Sequence, residues 1–127
     1  MKTNKLQAQQ QAERVVLGSM LLDPRCIQGV MEKLSQDDFS AKKNREIFQS
    51  ICALHRGNHL VDPLAVLRDL RETNHWDDLE GRNYLCRLIF ETPSAAQAEE
   101  SAEEMRLLSS EGSGRQKDGK ASGKSPP

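Results

Sequence analysis

The run AERVVLGSMLLDP, residues 12–24, holds the pattern from which the rest of the chain can be read. Ala12, Val16, Leu17, Met20 and Leu21 recur at three- and four-residue spacing, which puts them on one stripe of a helix predicted over residues 9–22. Asp23-Pro24 closes that helix and opens another, because aspartate caps a helix N-terminus and proline's fixed φ suits the first helical position. Gly18 lies inside the stripe and costs about 1 kcal/mol relative to alanine. A close crossing by a second helix is the physical reason to keep it.

Downstream, the same punctuation repeats. Ile27, Val30, Met31 and Leu34 give a second helix its inward face. Ser40 is the expected cap of a third, which runs to Arg56 with Ile47, Phe48, Ile51 and Leu54 inward, and Gly57 stops it. Asp62-Pro63 starts a fourth, with Leu64, Leu67 and Leu70 buried. A fifth is expected after Gly81, with Tyr84, Leu85, Leu88 and Ile89 on one side. Thr92-Pro93 opens the sixth, whose stripe is Ala95, Ala98, Ala102 and Met105. Long alternating strand patterns are missing, so the fold class is all-α: a compact bundle of five to six short helices.

The body of this bundle is expected over residues 6–108 of the 127. Residues 109–127 lack Leu, Ile, Val, Phe and Met entirely and hold four of the eight glycines. Such a Gly/Ser/Lys-rich stretch buries too little apolar surface to offset its ordering entropy, so it is predicted to be a disordered tail. The sixth helix is thin in bulk and strongly acidic on one side. Ala98, Ala102 and Met105 are therefore candidate interface residues, free to pair with another copy or a partner. Trp76, the single tryptophan, is either a fourth interface residue or a cover for the core edge between helices four and five.

Formal net charge is −1, from 18 basic and 19 acidic residues. The tail holds four basic and two acidic residues, which leaves −3 on the body. Duplex binding rests on phosphate neutralisation, so any nucleic-acid affinity is expected to be weak. No apolar run reaches the length of a membrane span, and no signal peptide pattern is present. Cys26, Cys52 and Cys86 have no CxxC spacing and lie in apolar helical patterns, as buried free thiols of a reducing cytoplasm do.

Catalytic patterns are missing as well. There is no GxxxxGK[ST] phosphate cradle, and GSGRQKDGK in the tail has neither that spacing nor a preceding strand. His55 and His59 are four apart, but Gly57 should break the helix that would bring them to one face. Asp37-Asp38 and Asp77-Asp78 are adjacent, which helix capping explains better than a catalytic dyad. Ser19 has no nucleophile-elbow motif around it. The sequence thus assigns no catalytic residue, no cofactor and no metal ligand, and the chain is not expected to be an enzyme.

Taken together, AERVVLGSMLLDP, DDFSAKKNREIFQSICALHRGNHLVDP and GRNYLCRLIFETPSAA resemble the amino-terminal domain of the replicative DNA helicase (DnaB) family. The likeness runs from about Leu6 to Leu108. Glu13, Leu17, Gly18 and Leu22 match its first helix. Asp38, Phe39, Ile47 and Phe48 match the second block, and Asp62, Tyr84, Leu85 and Thr92 to Ala96 the remainder. Asn44 stands where the pattern usually has His, and Gln97 where it has Asn.

The resemblance implies a helical globule followed by a helical hairpin, of which only the first helix, about residues 98–108, is expected here. It implies self-association into a collar that docks primase or a helicase loader, with the ATPase motor in a separate domain. The expected function is a non-catalytic interaction domain of the primosome in the cytoplasm, binding primase, a loader or helicase subunits. The alternatives are a stand-alone competitor that regulates helicase or primase, and a weak single-stranded DNA binder using Lys42, Lys43, Arg45, Arg56 and the basic tail.

Overall fold

A computed structural model describes the backbone of residues 4–113 and the side chains of residues 5–110. Six α-helices follow one another: α1 (Asn4–Leu22), α2 (Ile27–Lys33), α3 (Lys42–Arg56), α4 (Pro63–Thr73), α5 (Asp78–Phe90) and α6 (Ala98–Ser113). Single 3₁₀ turns precede α2, α3 and α6, and no strand occurs among the described residues. The all-α bundle expected from periodicity is the observed architecture.

Helix α1 is the central element and packs against α3, α5 and α6. All five members of its predicted stripe are buried, with Val16, Leu17 and Met20 fully so. Ile27, Val30, Leu34, Ile47, Phe48, Ile51, Leu67, Leu70, Leu85 and Leu88 join them in a single core, as their spacing implied. Phe39 and Phe48 stack within it at 4.6 Å between ring centroids.

The helix starts divide into two kinds. Asp23 and Asp62 cap as predicted, the Asp62 carboxylate accepting from the Ala65 N–H at 2.8 Å. Ser40 does not cap α3: its N-cap residue is Ala41, which offers no side-chain acceptor. Gly81 does not precede α5 but lies inside it, because Asp77 starts the helix by accepting from the Glu80 N–H at 2.9 Å. Gly81 is there because the α4–α5 approach is tight: a Cβ would lie 2.7 Å from Leu67 Cδ1. At the sixth start the cap is Ser94, while the Thr92 hydroxyl donates back to the Leu88 carbonyl at 2.7 Å.

Gly18 marks the crossing of α1 and α5. A Cβ there would sit 2.6 Å from the Leu88 carbonyl oxygen and closer still to Thr92 Oγ1. The glycine inside the first helix thus has the reason its cost demanded.

Helix α6 begins at Ala98, where the sixth helix was expected, and lies along α1 and α2 as a wall of the globule. It also continues through Ser113, past the expected end of the body at residue 108. The hydroxyl of Ser109, a buried residue, donates to Asp38 Oδ1 at 2.6 Å and fixes this last stretch to the turn before α3. The remaining part of the predicted tail, residues 114–127, lies outside the described residues.

Candidate protein-interaction surface

The interior accounts for the groups that resemble catalytic ones. Glu13 of α1 is fully buried, yet its carboxylate accepts from the Ser40 N–H and hydroxyl, both at 2.7 Å, and from the Asn44 amide at 2.8 Å. The Ala41 N–H adds a longer bond of 3.4 Å. The acid therefore fixes the turn before α3 and the first turn of that helix to α1, through the Ser40 and Ala41 amides and the Asn44 side chain. Asn44 continues the chain by accepting from the Tyr84 hydroxyl at 2.5 Å. Burial pushes the Tyr84 phenol above its ordinary range. With its acceptor sites taken by these donors, this carboxylate is a structural strut.

Trp76 is half-buried in the α4–α5 connection. Its ring meets Tyr84 edge-on at 6.3 Å, and its indole N–H donates to Glu46 Oε1 at 2.7 Å. The side chain covers the core edge and is tied to α3. It also borders a recess of about 360 Å³ with Lys42, Lys43 and His75.

The other three expected interface residues are placed inside. Ala98, Ala102 and Met105 are 2 %, 0 % and 0 % exposed. Small side chains let α6 approach closely enough for Met105 to reach the core, and within this chain α1 and α2 cover the stripe. The face α6 offers to solvent is the opposite one, with Glu100, Glu104 and Leu107.

The surface instead exposes large apolar residues the periodicity did not assign. Phe90 is 91 % exposed, and on the same outer face of α5 stand Leu79, 65 % exposed, and the solvent-facing Cys86. Leu64, expected inside, is exposed; with Leu60 it rims a recess of about 420 Å³ beside Arg68 and Asp69. A leucine that opens a helix just after Asp-Pro fits an inward stripe in sequence, but here the first turn of α4 extends beyond the core. Phe90 was open to recognition, since it falls off the Tyr84, Leu85, Leu88 stripe.

Of the three thiols expected to be buried, Cys52 is buried, Cys26 half-buried and Cys86 exposed. Burial pushes Cys26 up to about 11 and raises Cys52 as well. Among the described residues no three His, Cys, Asp or Glu side chains gather as a metal site. His55 contacts Gln28 Oε1 at 3.2 Å. Lys42, Lys43 and Arg45 begin α3, whereas Arg56 ends it, roughly 20 Å away along the axis. Lys43 sits over the Tyr84 ring at 5.3 Å.

The pattern of DnaB-like helicase N-terminal domains matches residues 5–106 of this chain. The chain belongs to that family. It is 34% identical over 87 residues to the replicative DNA helicase DnaB of Rhodothermus marinus, covering 68% of this chain and 9% of the helicase. Against DnaB of Pasteurella multocida it is 35% identical over 86 residues, covering 68% of this chain and 18% of the helicase. The crystal structure of the N-terminal domain of DnaB helicase from Mycobacterium tuberculosis superposes with a TM-score of 0.73 at 30% identity, covering 77% of this chain and 68% of that one. What this chain shares with the DnaB helicases is thus their N-terminal, non-catalytic domain, and the ATPase motor is not within its 127 residues. Two first-helix residues that carry the resemblance now have physical roles: Glu13 holds the turn before α3, and Gly18 admits α5. Asn44 bridges Glu13 and Tyr84 in the buried network.

Proposed function

We propose that this domain is a non-catalytic interaction module of the cytoplasmic DNA replication machinery, which self-associates and docks primase or a helicase loader. The observation that carries the reading is the family match over residues 5–106. The fold is consistent with it in a specific way. Its buried carboxylate is committed to internal hydrogen bonds, while its outer surface presents Phe90, Leu79, Leu60 and Leu64 to solvent. No described helix is long and apolar enough to cross a membrane.

Light scattering of the purified chain, alone and mixed with the carboxy-terminal domain of primase from the same organism, tests it. A mixed complex of higher mass than either component is the expected result. An unchanged profile with primase, repeated with the helicase loader, overturns the docking role.

A further inference from the structure

We propose that α4, with the turns at its two ends, is a strap that opens from α3 and α5 as a unit while the bundle around α1 stays folded. Lys43, Glu46, Ser50 and Leu54 stand at three- and four-residue spacing on one face of α3, over about 16 Å. Lys43 and Glu46 line the recess of about 360 Å³ at one end of that face, and Leu54 lines the recess of about 420 Å³ at the other. Ser50, between them, is buried, and its hydroxyl donates to Asp69 Oδ2 of α4 at 2.7 Å. The two recesses are thus the open ends of one groove along α3, and α4 lies across its middle.

The strap is held differently from the rest of the bundle. Helix α4 packs on α3 and α5, whereas the central α1 meets α3, α5 and α6 and does not have α4 among its main neighbours. Its buried side is short: Val66, Leu67 and Leu70, with Val61 just ahead of the helix. Two side-chain ties fasten it to α3, one from Ser50 to Asp69 and one from the Trp76 indole N–H to Glu46 Oε1 at 2.7 Å. The turns at its ends are both left-handed at a residue other than glycine, Asn58 at φ 60° and His75 at φ 59°. After each, a backbone N–H returns to the helix just finished: His59 to the Leu54 carbonyl at 2.9 Å, and Trp76 to the Leu70 carbonyl at 3.2 Å. A Cβ disfavours that conformation, so both turns relax to ordinary backbone once those bonds are released. Strain at both ends favours opening, and a short apolar face with two ties opposes it. The two turns are the hinges, where a few residues absorb the change in φ and ψ.

Deuterium exchange of the full chain in rising, sub-denaturing urea tests the strap. The amides of Val66, Leu67 and Leu70 should exchange together, about tenfold or more faster than those of Val16, Leu17 and Met20 in α1. Their exchange should also depend more weakly on urea, because opening the strap exposes less surface than unfolding the domain. Equal rates and equal urea dependence in the two helices overturn the proposal, since α4 then opens only when the whole domain does. Ser50→Ala should keep the circular dichroism of the parent and speed exchange in α4 by about tenfold, through loss of a hydrogen bond to a charged group. An unchanged rate in that variant also overturns the proposal, because the bond from Ser50 to Asp69 would then not be one that opening breaks.

Discussion

The Glu13 junction and the outer face of α5 are opposites. At the junction a charged group is buried, and each oxygen of its carboxylate receives donors from α3 or the turn before it. On α5, apolar groups are left exposed, with none of the described residues covering them. The first arrangement is costly unless complete, since a buried carboxylate without partners loses its hydration and gains nothing. The second is costly unless something else completes it. Both regions break the rule of apolar inside and polar outside. Only one of them repairs the breach among the described residues.

Glu13→Ala should break the junction with the largest effect. It leaves Asn44 and the Ser40 and Ala41 amides without their acceptor and should destabilise the fold by about 3–5 kcal/mol, measured by urea unfolding. Gly18→Ala comes next. The added methyl meets a backbone carbonyl as well as Thr92, so a loss of roughly 1–3 kcal/mol is expected in the same assay. An Ala102→Glu change places a charge at a site with 0 % exposure, so it should unfold the domain rather than merely dissociate an assembly. If that variant keeps its melting temperature, the docked position of α6 is wrong.

On the other side of the comparison, Phe90→Ser should alter stability by no more than about 0.5 kcal/mol, since the ring buries little within the domain. A larger loss would show that the ring is packed after all. The smallest effect concerns the thiols. In dilute protein at pH 8, alkylation should label Cys86 ahead of Cys26, whose thiolate is disfavoured by burial with its thiol pushed up to about 11. Peptide mapping by mass spectrometry reads the order directly.

Local rules made much of this fold legible. The Asp62-Pro63 start, the Gly57 stop and the stripes of α1, α2 and α3 depend on residues a few positions apart, and the structure keeps them all. Errors arose where a partner distant in the chain replaced a local one. Ser40 has the chemistry of a cap, but its hydroxyl is taken by Glu13, 27 residues earlier. Gly81 reads as a helix boundary until the closeness of Leu67 is known. The Ala/Met stripe of α6 was recognised as an interface, and the missing information was with which surface: its own α1 and α2 lie against it. Exposed Leu64 belongs to the same class, because an apolar residue at helical spacing does not reveal whether its turn reaches the core, whereas Phe90 could be read as outward from its place off the α5 stripe.

The Glu13 junction also bears on the order of events in folding. The Ser40 and Ala41 amides before α3 and the Asn44 side chain find their buried acceptor only when α1 arrives, and isolated helices of 15 residues are already marginal in water. Nucleation of α3 is thereby made conditional on a tertiary encounter. The beginning of α3 should then show little helicity as a peptide, and in the whole domain its amides should exchange with deuterium only as fast as those of α1. On that expectation the start of α3 and the middle of α1 form or melt as one cooperative unit.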